Sequence, residues 1–317
     1  EWDPAGGLDL DAIGVRVGPE RTAVLTDVRA AGLTDGLLVT ATLDPTAQPF
    51  LDDHRIDGTS VLPGVMGIES FAEIAQLSYP DRSITAIEDV DFLAPFKFYR
   101  DEPRELKVLA VFAPDGDDIV ATCRLIGERT LPNQEEPQVT EHFTGRVRLS
   151  VEGNDALTVD PQAEGDTSVR AEDIYRIYFH GPAYQVLDHA WPSDDGATGR
   201  FVDELPPNHT AAADTVTDPR LVELCFQTAG VWEIATNGVM ALPTRIDRVI
   251  PGTRAGQTSG PLQAQITPTG DGGFDTTVVD SAGTVVLQLE GYRTIQLPGA
   301  LDDEVLAPLR EGMGVTD

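Results

Sequence analysis

Cysteine is nearly absent: Cys123 and Cys225 are the two in 317 residues, and each sits in an apolar segment. Such residues read as small hydrophobes, so neither a disulfide framework nor thiol chemistry is expected. Positive charge is scarce as well, with 22 Lys and Arg against 53 Asp and Glu and a formal net charge of −31. A surface this acidic repels phosphate backbones and anionic lipid, which disfavours nucleic-acid and membrane partners. No apolar run reaches the roughly 18 residues of a membrane-spanning helix. The opening EWDPAGGLDLD lacks the positive region and apolar stretch of a signal peptide, so a cytoplasmic location is expected, and its abrupt start has the look of a piece cut from a longer chain. A glycine-rich phosphate loop and clustered metal ligands are also missing, and no cofactor is expected.

What is present is a globular composition, 41% hydrophobic, enough for one large or two ordinary domains with a real core. The segments read as one plan used twice. In the first half GLLVTATLD (36–44) reads as a strand and PGVMGIESFAEIAQLSY (63–79) as a helix apolar on most sides, hence buried. AIEDVDFLAPF (86–96), a hairpin over 105–127 about PDGD, and VTEHFTGRVRLSV (139–151) follow as strands. The second half repeats the order, with DPRLVELCFQTAGVWEIA (218–235) as the helix, then TRIDRVIPG (244–252) and strands over 262–297. Two local matches align the halves: Ile87-Glu88-Asp89-Val90 with Ile246-Asp247-Arg248-Val249, and HFTGRV (142–147) with QLEGYR (288–293), glycine on glycine. The polar, acidic stretch EGNDALTVDPQAEGDTS (152–168) between them has a linker composition. An α+β architecture follows: a buried helix wrapped by an antiparallel sheet, made twice. Its parts are a first unit with an N-terminal extension (1–151), a linker (152–170), a second unit (171–298) and a C-terminal tail (299–317).

Chemistry concentrates in DHRIDGTSVLPGVMG (53–67), where His54, Gly58 and Pro63 have the spacing H-x-x-x-G-x-x-x-x-P. Pro63 suits the first turn of a helix, and Gly64 would let a ligand carbonyl approach N–H groups where the helix dipole favours negative charge. His54 is therefore a candidate base beside an oxyanion site. On the second helix Glu223 and Gln227 are four apart and share a face in apolar surroundings. Desolvation favours the neutral form of such a carboxyl, which makes Glu223 a candidate general acid held by Gln227. Glu69 on the first helix is a competing acid, and His209, in a proline-rich loop, a weaker second base. His142 and His189 read as strand or loop residues.

The H-x-x-x-G-x-x-x-x-P motif with PGVMGIE, the later HGPAYQ (180–185) and the Glu-x-x-x-Gln helix together resemble the dehydratase domain of polyketide synthases and related polyunsaturated fatty-acid synthases. The resemblance covers residues 20 to 298. It implies a double hotdog fold and removal of water from a 3-hydroxyacyl thioester held on the phosphopantetheine arm of an acyl carrier protein. It also implies His54 as base and Glu223, from the other half, as acid, with Gly58, Pro63, Gly64, Gln227, His180, Gly181 and Pro182 lining or orienting the site. Two departures stand out: the family usually has aspartate at Glu223, and usually tyrosine where His180 precedes Gly181-Pro182. The carrier protein and neighbouring synthase domains of the same polypeptide are the implied partners, and exposed strand edges make a homodimer a further expectation. A double-hotdog cyclase or isomerase and an inactive structural module are the rival readings.

Overall fold

The computed structural model describes residues 7–9, 20–32, 36–129, 137–253 and 257–315. Most of the opening EWDPAGG and the last two residues of the tail lie outside them. The chain divides into two compact units, Glu1–Gly153 with Pro207–Pro219, and Asn154–Pro206 with Arg220–Asp317.

The first unit opens with strands β1 (Gly7–Asp9), β2 (Asp27–Gly32) and β3 (Gly36–Leu43), a short helix α1 (Pro49–Asp52), and a hairpin of β4 (Arg55–Ile56) and β5 (Thr59–Val61). Helix α2 (Gly64–Ser78) follows, then β6 (Ser83–Phe92), β7 (Lys97–Phe98), β8 (Arg104–Asp115), β9 (Asp118–Arg129) and β10 (Gln138–Ser150). The start of α2 is set by Pro63, whose extended ψ of 137° turns the chain into the helix, and no proline interrupts its interior. Every residue from Val65 to Ala75 is buried, so the helix has no solvent face. A sheet of order β1-β2-β3-β8-β9-β10-β6 supplies the surroundings, with α2 packed on β6, β8, β9 and β10. The approach is close enough to demand glycine on both sides. A Cβ at Gly67 would lie 2.2 Å from the Phe143 ring, and one at Gly145 3.2 Å from Phe71.

Each buried Val, Ile or Phe of α2 stabilises the unit by about 1.5–3 kcal/mol, and two carboxyls are carried into the same core. Glu73 accepts the N–H groups of Ala23, Val24 and Leu25 at 2.5, 2.9 and 2.9 Å. Glu69 accepts those of Val216 and Thr217 at 2.6 and 2.8 Å, and the Thr217 hydroxyl at 2.5 Å. Burial outweighs these donors and raises Glu69 to about 7, and burial with repulsion from Glu69 raises Glu73 to about 8. Because Glu69 holds residues 216–217, and Asn208 O accepts the Phe50 N–H at 2.8 Å, the stretch 207–219 belongs to the first unit. The expected second unit over 171–298 is corrected accordingly.

The second unit contains β11 (Val169–Arg170), a short α3 (Ala171–Ile174), β12 (Leu187–Ser193), β13 (Gly196–Phe201), helix α4 (Pro219–Asn237), β14 (Ala241–Pro251), β15 (Gln263–Pro268), β16 (Phe274–Val279), β17 (Val285–Gln296) and helix α5 (Asp303–Gly312). Its strand order is β11-β12-β13-β15-β16-β17-β14. The internal plan matches that of the first unit: the strand after the helix lies beside the last strand. Helix α4 meets this sheet through Phe226 stacked on Tyr292 at 4.5 Å, Trp232 edge-on to Phe274 at 5.7 Å, and Thr228 close against Gly199. Cys123 and Cys225 are both buried free thiols.

Two expected boundaries change. The linker over 152–170 is partly laid along the second unit: Val159 N–H donates to Gly283 O at 2.8 Å, Val285 N–H to Leu157 O at 2.9 Å, and the Trp191 indole to Ala163 O at 3.0 Å. The tail over 299–317 holds α5, whose Leu306 and Leu309 are buried.

The raised carboxyls make stability fall as pH rises. Folded Glu69 and Glu73 hold protons that the unfolded chain releases above its carboxyl value of 4.5, so their contribution is full below that and is lost as pH climbs through about 7 and about 8. Thermal melts from about pH 5 to about pH 9 should show this decline, and Glu69→Gln with Glu73→Gln should flatten it.

Candidate active site

In the first unit the candidate base sits at the foot of the β4–β5 hairpin. Val61 N–H donates to His54 O at 3.0 Å, and His54 Nδ1 lies 2.8 Å from Val61 O. A carbonyl only accepts, so Nδ1 carries the proton, and in the neutral ring the basic lone pair is on Nε2. The side chain is buried. The hairpin turns at Asp57-Gly58 with φ of 50° and 76°. Two consecutive left-handed residues make the type I′ geometry that an Asp-Gly pair favours. Gly58 thus serves the turn that closes the His54 hairpin, and no atom lies within 4 Å of where its Cβ would be. From Val61 the chain runs through Leu62 to Pro63 and the first turn of α2, whose leading N–H groups lack intrahelical acceptors. A Cβ at Gly64 would come 2.7 Å from Phe92, so packing calls for glycine there.

In the second unit Glu223 is buried on α4, and Gln227, one turn on, donates its Nε2 to Glu223 Oε1 at 2.8 Å. The amide is held by further groups. Its Nε2 also donates to Tyr184 O at 2.9 Å, its Oε1 accepts the Tyr175 hydroxyl at 2.8 Å, and that hydroxyl accepts the Leu187 N–H at 2.8 Å. Burial pushes the Tyr175 phenol up, which keeps it a donor. The Tyr178 hydroxyl donates to Gln227 O at 2.9 Å. Gly181 opens the turn Pro182–Tyr184, closed by Tyr184 N–H on Gly181 O at 2.9 Å, and so aims the Tyr184 carbonyl at Gln227.

His180 joins the same cluster: its Nε2 is 3.1 Å from Glu223 Oε1, and its ring is stacked on Phe179 at 4.5 Å and edge-on to Tyr178 at 5.5 Å. The structure thus brings Glu223, Gln227 and His180 together, and ties His54 to Val61, two residues before Pro63 and the start of α2. Tyr175 and Tyr178 are site residues that sequence reasoning misses; the aromatic run YRIYFHGPAY (175–184) is the signal that could find them.

The remaining titratable candidates are occupied otherwise. Glu69 is bound to residues 216–217 as above. His209 has Nδ1 at 2.7 Å from Asn208 Oδ1 and Nε2 at 2.9 Å from Ala213 O. His142 donates Nδ1 to Ala94 O at 3.0 Å, and burial lowers its pKa. His189 lies between Asp188 and Glu164, stacked on Trp191.

The chain is similar to known proteins along most of its length. A model described as polyketide synthase dehydratase domain matches residues 24–122, and one described as polyketide synthase dehydratase N-terminal domain matches 153–304. The chain is 28% identical over 311 residues to polyketide synthase GfsB of Streptomyces halstedii, covering 90% of this chain and 5% of that protein. It is 26% identical over 227 residues to one component of the polyunsaturated fatty acid synthase of Thraustochytrium sp., covering 68% of this chain and 8% of that protein. Those relatives are therefore far longer than this chain. Among solved structures, the dehydratase domain from the CurF module of curacin polyketide synthase superposes with a TM-score of 0.71 at 18% identity, covering 88% of this chain and 100% of that one. A dehydratase studied for substrate selection in the borrelidin and fluvirucin polyketide synthases gives 0.67 at 20% identity, with 92% and 99% covered. The fold is the double hotdog of these domains.

The hydroxyl of Tyr175 generates one prediction. Tyr175→Phe leaves the Leu187 N–H and the Gln227 carbonyl oxygen without that partner, and should destabilise the protein by about 1–3 kcal/mol in denaturant titration.

Proposed function

The chain belongs to the family of polyketide synthase dehydratase domains, and from that premise we propose that it removes water from a 3-hydroxyacyl thioester, carried on the phosphopantetheine arm of an acyl carrier protein, to give a 2,3-enoyl chain within a polyketide or fatty-acid megasynthase. His54 Nε2 takes the proton from the carbon next to the thioester, and the Gly64 N–H at the start of α2 steadies the enolate-like oxygen. Glu223, in its protonated form, gives its proton to the departing hydroxyl, so a C–H and a C–O bond break and water leaves. Gln227 fixes the carboxyl's orientation. His180, in hydrogen-bond reach of Glu223 Oε1, steadies that carboxyl after it has lost its proton. A proton passed from His54 to Glu223 through solvent resets the pair. The chemistry asks for no metal or redox cofactor.

The observation that carries this reading is the His54 Nδ1 contact with Val61 O, which leaves Nε2 as the basic nitrogen of a buried imidazole beside a helix start. The length of the known relatives, of which this chain spans 5% and 8%, supports neighbouring synthase domains as partners. Self-association as a homodimer is part of the same proposal.

Two substitutions test it. His54→Ala and Glu223→Gln should each lower turnover of a 3-hydroxyacyl carrier-protein substrate roughly 100- to 10,000-fold, with the protein still folded by circular dichroism. The double variant should be little slower than the slower single one, because both groups serve one step. Mass analysis of the product should show loss of one water, which a cyclase or isomerase would not give. Undiminished turnover in His54→Ala would refute the assignment.

A further inference from the structure

Two polar side chains meet head to head inside the second unit. His180 Nε2 lies 3.1 Å from Glu223 Oε1, and the two side chains are only 7% and 6% exposed. The imidazole has little room to move. Its ring is stacked on Phe179 and edge-on to Tyr178, the His180 carbonyl accepts Gln185 Nε2 at 3.1 Å, and the turn opened by Gly181 follows directly. The carboxyl is placed as firmly. Its neighbours on α4, Val222 and Leu224, are fully buried, and Gln227 Nε2 donates to the same Oε1 at 2.8 Å. With both backbones held, the gap between them is a set length that the two side chains must span together.

These two contacting positions are also the ones at which the chain departs from the usual pattern of its family, with glutamate in place of aspartate and histidine in place of tyrosine. The departures run in opposite directions. A glutamate carries its carboxyl one methylene farther than an aspartate, whereas an imidazole ends well short of a phenol hydroxyl. In a close-packed interior either change alone opens a gap or forces a clash. A long acid facing a short ring fills the same span as a short acid facing a long one. The imidazole also brings a property that a phenol lacks. Tyr175, Tyr178, Tyr292 and Cys225 sense a charge on Glu223, but each is a neutral acid whose pKa burial raises first and that charge raises further, so none supplies a countercharge. A protonated histidine does.

Resting on the dehydratase reading above, we propose that Glu223 and His180 are one reach-matched pair, in which His180 is the positioning residue that places the carboxyl and each departure from the family compensates the other. Nε2 donates to the ionised carboxylate or, in the neutral ring, accepts from the protonated carboxyl. The contact therefore lasts through both protonation states that the reaction requires of Glu223.

The test is a double-mutant cycle on the full chain, read by turnover of a 3-hydroxyacyl carrier-protein substrate and by thermal melting. Glu223→Asp and His180→Tyr should each lower kcat about tenfold or more, with KM little changed, because the misplaced group acts in the chemical step. Combining them should restore the span. The combined variant should then exceed the product of the two single losses by about tenfold, and should melt higher than His180→Tyr alone. His180→Phe keeps a ring against Phe179 and removes the polar atom, so adding Glu223→Asp to it should bring no recovery. Independent losses for the tyrosine and aspartate changes, equal recovery with phenylalanine, or a combined variant that does not fold overturns the proposal. Failure of the parent reading has its own sign, absence of dehydration by the unsubstituted chain, and the melting half of the cycle still reports whether the two residues are coupled.

Discussion

Full burial of a helix is the constraint from which the rest of each unit follows. A helix with no solvent face needs a sheet curled around it and small residues where backbones approach, and every polar atom it carries inside needs a partner there. In α2 the partners of Glu69 and Glu73 are backbone N–H groups of irregular chain, with the Thr217 hydroxyl added at Glu69, so two segments outside the sheet are drawn onto the helix. In α4 the same demand is met by side chains: Gln227 connects Glu223 to Tyr175 and Tyr184. The two helices share a position in the plan and differ in whether loop donors or other side chains satisfy their polar load.

A glutamate stands where an aspartate is usual in the resembled family, and its neighbours hold it in place. Glu223 is fixed at Oε1 by an amide whose own orientation is determined by a tyrosine hydroxyl, and an imidazole stands beside the same oxygen. The longer side chain is held by neighbours and does not depend on its own stiffness. Desolvated, hydrogen-bonded networks of this kind lose little freedom during a reaction, which is the physical content of preorganisation.

Much of this could be read from sequence because it rests on local pattern. The two apolar helices, the hairpin at PDGD and the i, i+4 pair Glu223 and Gln227 depend on periodicity and turn chemistry. The Gly145 and Gly291 match also proved structural, though for different reasons: Gly145 faces Phe71, whereas Gly291 has φ of 62° and would drive a Cβ into Asp247. The unread parts rest on contacts between distant residues. Strands β12 and β13 are joined by Asp194-Asp195 and contain a proline and glycines, so they look like loop. Helix α5 carries Pro308 in its interior. Two of the partners of Glu69 are backbone N–H groups, which any residue but proline supplies and no motif marks, and the third is the hydroxyl of Thr217, 148 residues away. His180 reaches Glu223, and Arg129 reaches Tyr99, only after the sheets have formed.

The ownership of residues 207–219 bears on biosynthesis. The first unit is discontinuous in sequence, so a ribosome that has released Gly153 has not yet delivered the donors that Glu69 requires. A nascent chain leaves that carboxyl without these donors until Thr217 emerges. Vectorial synthesis therefore cannot finish this protein one half at a time, and a genetic cut between the halves would sever a piece of the first core along with the second.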